Sequence, residues 1–176
     1  MHKRQYIKIS NFLLIFFIVV FSCNAQESSL EKNLLKTYLT EYKKENKIDT
    51  IFLDSNNSNK ELVERTERIS LRDSSKIDDS ILKLLTSQKE ISNFRSQISI
   101  GDWSHNLKLP KVVLCDSVYI DRLHVSKPIY TINKKYALIY NYKINKSNVV
   151  FYLPIDVYSF KNDNWEKVFT IKDNGF

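Results

Sequence analysis

The feature that most limits what this chain can build is the texture of its C-terminal third, where aromatic and β-branched residues crowd together. Residues 119–176 hold 12 of the 22 aromatic side chains. Such residues suit a pleated, half-buried surface. The spacing predicts strands over Val112–Cys115, His124–Thr131, Lys135–Ile144, Val149–Phe160 and Trp165–Ile171. Asn133-Lys134 and Lys161-Asn-Asp-Asn164 carry the turn chemistry of tight hairpins. Pro154 has no N–H to donate, so it marks an edge or a bulge inside its strand. Alternation places Leu138, Tyr140 and Tyr142 on one face, and Trp165, Phe169 and Ile171 on another, interrupted by Lys167.

The half before it reads differently. Ser28-Ser29-Leu30-Glu31 has the form of a capping box, with Leu34, Leu35, Tyr38, Leu39 and Tyr42 following on one helical face. A helix is expected over Ser29–Glu45 and a short strand over Ile48–Leu53. Glu61–Arg68 suits a short helix capped by Ser58. Asp78 or Asp79 can cap another that runs to about Lys89, with Ile81, Leu82, Leu84 and Leu85 inward. Ile91, Phe94 and Ile98 either extend it or open an irregular segment, and Gly101–Asn106 has turn chemistry. Helices first and strands after define an α+β domain, with the N-terminal helices packed on a C-terminal antiparallel β-meander.

The first 22 residues set the compartment. Lys3, Arg4 and Lys8 precede an unbroken apolar run from Phe12 to Phe21, too short to span a bilayer comfortably and suited to a secretory signal. The boundary Val20-Phe21-Ser22-Cys23 resembles the lipobox of bacterial lipoproteins: an aliphatic residue at −3, a small one at −1, and a thiol at +1. That resemblance implies a signal peptide over 1–22, a lipid-bearing Cys23, a polar tether over 23–29 and one domain over 30–176. A rival cut after Ala25 would leave a soluble secreted or periplasmic chain, with Cys23 at −3. Two or more acyl chains would make attachment effectively permanent.

Composition narrows the partners. The chain has 27 basic and 20 acidic residues, and without the three leader charges the balance is 24 against 20. Charges alternate in sign along Glu41–Lys47 and Glu61–Arg68, as on a solvated face rather than a nucleic-acid stripe. Two glycines, Gly101 and Gly175, leave no phosphate-cradling loop. With Cys23 acylated, Cys115 would be the sole remaining thiol, and its apolar run favours a core role over a reactive one.

Ser126-Lys-Pro128-Ile129-Tyr130, Lys135-Tyr-Ala137-Leu-Ile139-Tyr140 and Trp165-Glu-Lys-Val168 together resemble a family of small uncharacterised Gram-negative lipoproteins. Its members share an S-x-P-I-[FY]…K-x-A-[LI]-I-Y…W-x-x-V run. The leader, the first helix and Asp49-Thr-Ile-Phe-Leu53 are similar as well. Some relatives carry a Cys- and Gly-bearing insert where this chain has Asn141–Asn148 without Cys. The motifs are hairpin and core residues, so the resemblance implies compartment and fold and no activity.

Chemistry-bearing residues are sparse. Beyond the leader the histidines are His105 and His124, which a metal reading would join to Asp102, Asp116 or Asp121. No His-Glu-x-x-His or other ligand spacing supports it, and no cofactor is implied. A Cys115–His124 nucleophile pair could meet across neighbouring strands, although an apolar run ill suits a reactive thiol. Asp102-Trp-Ser104-His105 lacks the glycines of a nucleophile elbow, and Asp78-Asp79 suits a helix cap better than an acid/base pair. Tyr136, Tyr140, Tyr142, Tyr152 and Tyr158 could line a glycan- or peptide-binding face, though strand packing explains them as well. The expectation is an exported, lipid-anchored envelope protein on the periplasmic face or cell surface. Its partners would be the membrane, through the lipid, and an envelope protein or glycan. The alternatives are a hydrolase or metal enzyme using His105 or His124, and an inhibitor or immunity-type module.

Overall fold

The structure, a computed structural model, describes residues 29–68, 79–98, 103, 109–115, 122–144 and 150–171. The expected leader, Cys23, the tether, Asp78, Asp102, Ser104, His105, Asp116 and Asp121 lie outside the described residues.

Helix α1 covers residues 29–46 and buries Leu34, Leu35, Tyr38 and Leu39, the stripe its spacing predicts. It stops because Lys47 turns left-handed at φ 54°. The Lys47 N–H then reaches the Lys44 carbonyl at 3.4 Å, and the Ile48 N–H reaches the Lys43 carbonyl at 3.1 Å. These two bonds satisfy carbonyls that a helix end leaves open.

Strand β1 (Ile51–Asp54) leads into α2 (Asn59–Arg68), α3 (Asp79–Leu85) and α4 (Gln88–Ser96). The helix expected to run to Lys89 breaks at Thr86-Ser87, and Ile91 and Phe94 belong to α4, a helix in its own right. Ser87 starts α4 by accepting the Glu90 N–H at 3.3 Å. Ser87-Gln-Lys-Glu90 is the same capping pattern read at Ser28, and it was the visible signal for the break.

Strands β2 (Val112–Cys115), β3 (Arg122–Val125), β4 (Ile129–Tyr130), β5 (Tyr136–Ile144), β6 (Val150–Lys161) and β7 (Asn164–Ile171) follow. The fold is α+β, with one seven-stranded sheet in the order β2-β1-β3-β5-β6-β7 and β4 paired to β5 beside β3. From β3 onward the pairings are antiparallel, and β5-β6-β7 form the expected meander. Strand β1 enters between β2 and β3, parallel to both, so the whole sheet is mixed.

The strand expected over His124–Thr131 is two strands. Pro128 lacks an N–H, and at the gap Ser126 bonds Tyr140 twice, donating its N–H to the Tyr140 carbonyl and accepting the Tyr140 N–H on Oγ. The β6–β7 turn holds Asn162 at φ 48° and Asp163 at φ 61°, the left-handed pair that a two-residue hairpin loop requires. Pro154 lies within a register shift. Between Tyr140/Ile155 and Tyr142/Tyr152, β6 carries one residue more than β5, so this central strand accommodates its proline through a bulge.

The sheet is covered on both sides. Helix α1 packs one face with Leu53, Val125, Ala137, Ile139 and Tyr158, while α2, α3 and α4 pack the other with Leu138, Tyr140, Ile155, Val157 and Ile171. One expected face is corrected here. Val157 pairs Phe169 and Tyr158 pairs Lys167, which leaves Val168 as an extra residue in β7. The bulge inverts the alternation: Trp165 joins the α1 side, whereas Phe169 and Ile171 join the other.

Candidate functional site

The register lines up polar groups in a row across one face of the sheet. Cys115 pairs with Asp54, Leu53 pairs with Leu123 so that Asp54 falls beside His124, and His124 pairs with Tyr142. Asp54 is 0 % exposed. Its Oδ1 accepts the Asn56 N–H at 2.8 Å and the Asn56 side-chain amide at 2.7 Å. Its Oδ2 meets the Arg122 guanidinium at 2.5 Å. His124 Nε2 stands 3.7 Å from that same oxygen, beyond hydrogen-bond range, and its ring stacks on Tyr142 with centroids 4.3 Å apart.

Burial pushes the His124 imidazole below its ordinary pKa. Asp54 pulls it up, the Arg122 guanidinium pushes it down, and Glu61 on α2 pulls it up again. The result is a neutral ring at pH 7 beside a carboxylate whose charge is matched by Arg122. This arrangement ties β1 to β3.

The Cys115–His124 pairing is corrected by the topology. Strand β1 stands between β2 and β3, so the two residues are two strand spacings apart, about 9–10 Å. Cys115 is a half-buried free thiol on the outer strand β2, not the buried core residue that its apolar neighbours suggested. Among the described residues, no three His, Cys, Asp or Glu side chains gather in a way that could hold a metal ion.

The candidate tyrosines whose side chains are described do not form one exposed face: Tyr136, Tyr140 and Tyr142 lie on the side of α2–α4 and Tyr158 on the side of α1. Tyr140 and Tyr158 are each 0 % exposed and sit in opposite cores, because they occupy facing sides of the sheet. Tyr140 lies under the Arg65 guanidinium, 4.9 Å from its ring centre. Tyr142 is half-buried against His124, Tyr136 is buried, and of Tyr152 only the backbone is described.

A polar cluster that sequence reasoning missed lies beneath α1. The Tyr158 hydroxyl donates to Glu41 Oε2 at 2.6 Å. Lys167 Nζ stands 3.2 Å from Glu45 Oε1, 3.6 Å from Asp156 Oδ2 and 3.8 Å from Glu41 Oε2. Burial raises the Asp156 carboxyl above its usual range, while the Thr170 hydroxyl, donating to Oδ1 at 2.6 Å, and Lys167 oppose the rise. Burial works against the Lys167 ammonium, but Asp156, Glu45 and Glu41 outweigh it and raise its pKa. The visible signal was Lys167 itself, a charge interrupting an apolar strand face.

Hollows open on the surface among the described residues. One, of about 490 Å³, lies beside β4 and is lined by Glu31, Asn93, Gln97, Lys127, Tyr130, Lys134 and their neighbours. Another, of about 470 Å³, lies between α1 and the β6–β7 turn, with Asn33, Lys36, Glu41, Asp163 and Trp165 among its lining. Compared with protein-family profiles, curated proteins and solved structures, the chain matches none of them.

Proposed function

We propose that the chain is an exported bacterial lipoprotein, anchored through acyl groups on Cys23, whose domain is a non-catalytic binding module of the cell envelope. The observation that carries this reading is the ten-residue apolar run Phe12–Phe21 closing on Ser22-Cys23. A small residue before the thiol lets the peptidase cut, and the thiol accepts the diacylglycerol. The resemblance to small Gram-negative lipoproteins through Ser126–Tyr130, Lys135–Tyr140 and Trp165–Val168 agrees with it.

The engagement of the ionisable groups supports binding over chemistry. Asp54 is matched by Arg122, and Lys167 is ringed by carboxylates. The two hollows are the natural places for an envelope protein or glycan segment to seat, being open and lined by mixed polar and apolar groups.

Intact-mass analysis of the mature N-terminus is the test. The expected product begins at Cys23 and carries the added mass of its acyl groups, and Cys23→Ser abolishes recovery with the membrane fraction. An unmodified start at Gln26, or an uncut chain in the cytosol, sinks the reading.

A further inference from the structure

One end of the domain gathers the start of α1 and two hairpin turns. Glu31 and Lys134 line the same hollow, so the β4–β5 turn abuts the first turn of α1. Asn33 and Lys36 share the second hollow with Asp163 and Asn164, so the β6–β7 turn abuts it too. This end carries the exposed side chains of Lys32, Lys36, Lys134, Lys135 and Lys161, against Glu31 and Asp163. At its tip Ile132 is 47 % exposed, among the described large apolar residues one of the two most exposed, with Val113 at 46 %.

That tip is a built structure. The Glu90 carboxylate accepts the Ile132 N–H at 3.0 and 3.3 Å on its two oxygens. Asn133 Oδ1 accepts both the Thr131 hydroxyl and the Lys135 N–H. An apolar side chain is therefore held out rigidly, with lysines around it. The far end of α1 exposes Lys44, Lys47 and Ile48 as well, but stands about 27 Å farther along the helix from the tether.

Five residues lie between Cys23 and residue 29, where α1 begins, and the six steps fully extended reach at most about 20 Å. A lysine face within a couple of Debye lengths of an anionic bilayer is drawn onto it. We infer that this end of the domain docks on the anionic phospholipid surface that holds the anchor, with Ile132 entering the headgroup layer and the lysines ringing it. The inference rests on the acyl anchor proposed above. It sets α1 pointing away from the bilayer and places the Asp54–His124 row on the outward side.

Acetylation of lysines in the acylated mature chain, read by peptide mass spectrometry, tests it. The chain is reconstituted in vesicles of phosphatidylglycerol mixed with phosphatidylcholine, and in vesicles of phosphatidylcholine alone. Lys134, Lys135 and Lys161 are expected to react several-fold more slowly in the anionic vesicles, with the protection lost at high salt. Lys44 and Lys47 at the far end of α1 should react equally in both. A Lys134→Glu/Lys135→Glu variant should stay anchored yet lose the protection at Lys161. Equal rates at both ends in both vesicles, or protection of Lys161 untouched by the double variant, overturns the docking face while the anchor stands. A chain that carries no acyl group and floats with neither vesicle overturns the anchor, and the docking face with it.

Discussion

The side-chain amide of Gln97 bonds the backbone of Tyr130 twice, donating to its carbonyl at 2.9 Å and accepting its N–H at 2.9 Å. Asn93 adds a second donor to the same carbonyl at 2.8 Å. Two side chains at the end of α4 thereby act as the missing neighbour of the two-residue strand β4. Sheet edges invite other chains, and here the edge is closed from within. Replacing Gln97 with Leu strips the Tyr130 N–H of its partner at a part-buried position. The expected cost is about 1–3 kcal/mol, read as a lower urea midpoint with an unchanged slope.

The Asp54–Arg122 pair makes a sharper demand. Asp54→Ala leaves the guanidinium largely buried without its counter-charge, and the expected loss is about 3–5 kcal/mol. The paired replacement Asp54→Asn with Arg122→Met should cost much less, since it leaves no unmatched charge. Denaturant melts of Asp54→Asn, Arg122→Met and the double complete the cycle. Additive losses would show that the pair contributes nothing beyond its separate parts.

His124 gives stability a pH dependence. Burial, its main cause, holds the folded imidazole below the unfolded value of about 6.5. Between the folded pKa and that value the unfolded chain binds the extra proton. The His124 contribution is therefore full above about pH 6.5 and falls away as pH drops through the folded pKa. Urea midpoints measured from pH 7.5 down to 5 should decline, and His124→Gln should flatten that slope. A wild-type slope retained in the variant would assign the effect elsewhere.

Tyr38 and Tyr158 both resist ionisation. Burial is the chief cause for both; Asp156 reinforces it at Tyr38, and the Glu41 carboxylate does so at Tyr158. Alkaline titration of tyrosinate absorbance should show these two ionising only with unfolding. Tyr158→Phe should remove amplitude from that late phase and leave the early phase intact.

The β6–β7 turn can be improved. Asp163 stands at φ 61°, a region where only glycine is free of Cβ crowding. Asp163→Gly gives the Asn-Gly turn that a two-residue hairpin prefers, and the expected gain is up to about 1 kcal/mol. Asp163→Val should lose at least as much, with thermal melting as the readout.

What could be read from the residues was local. The stripe Leu34–Leu39 gave α1, Asn162-Asp163 gave a hairpin turn, and Pro154 announced its bulge, because in each the determining contacts lie within a few positions. The insertion of β1 between β2 and β3 could not be read, since a four-residue strand such as Ile51–Asp54 has no local marker for its partners. That insertion brought Asp54 beside Arg122 and His124, so the polar row across the sheet was hidden with it. The division of Trp165 from Phe169 was equally hidden, because one extra residue, Val168, reverses every side chain beyond it.

The position of β1 also dictates when the molecule can become itself. Synthesis delivers α1 and β1 first, yet β1 has both its neighbours at 112 and beyond, and α1 closes over Tyr158 and Trp165 near the other terminus. The β5-β6-β7 hairpins can zip as they emerge, while the stripe of α1 waits for β3 and β5 and is covered last by Tyr158 and Trp165. A chain cut short before Trp165 would leave part of the α1 stripe without its cover.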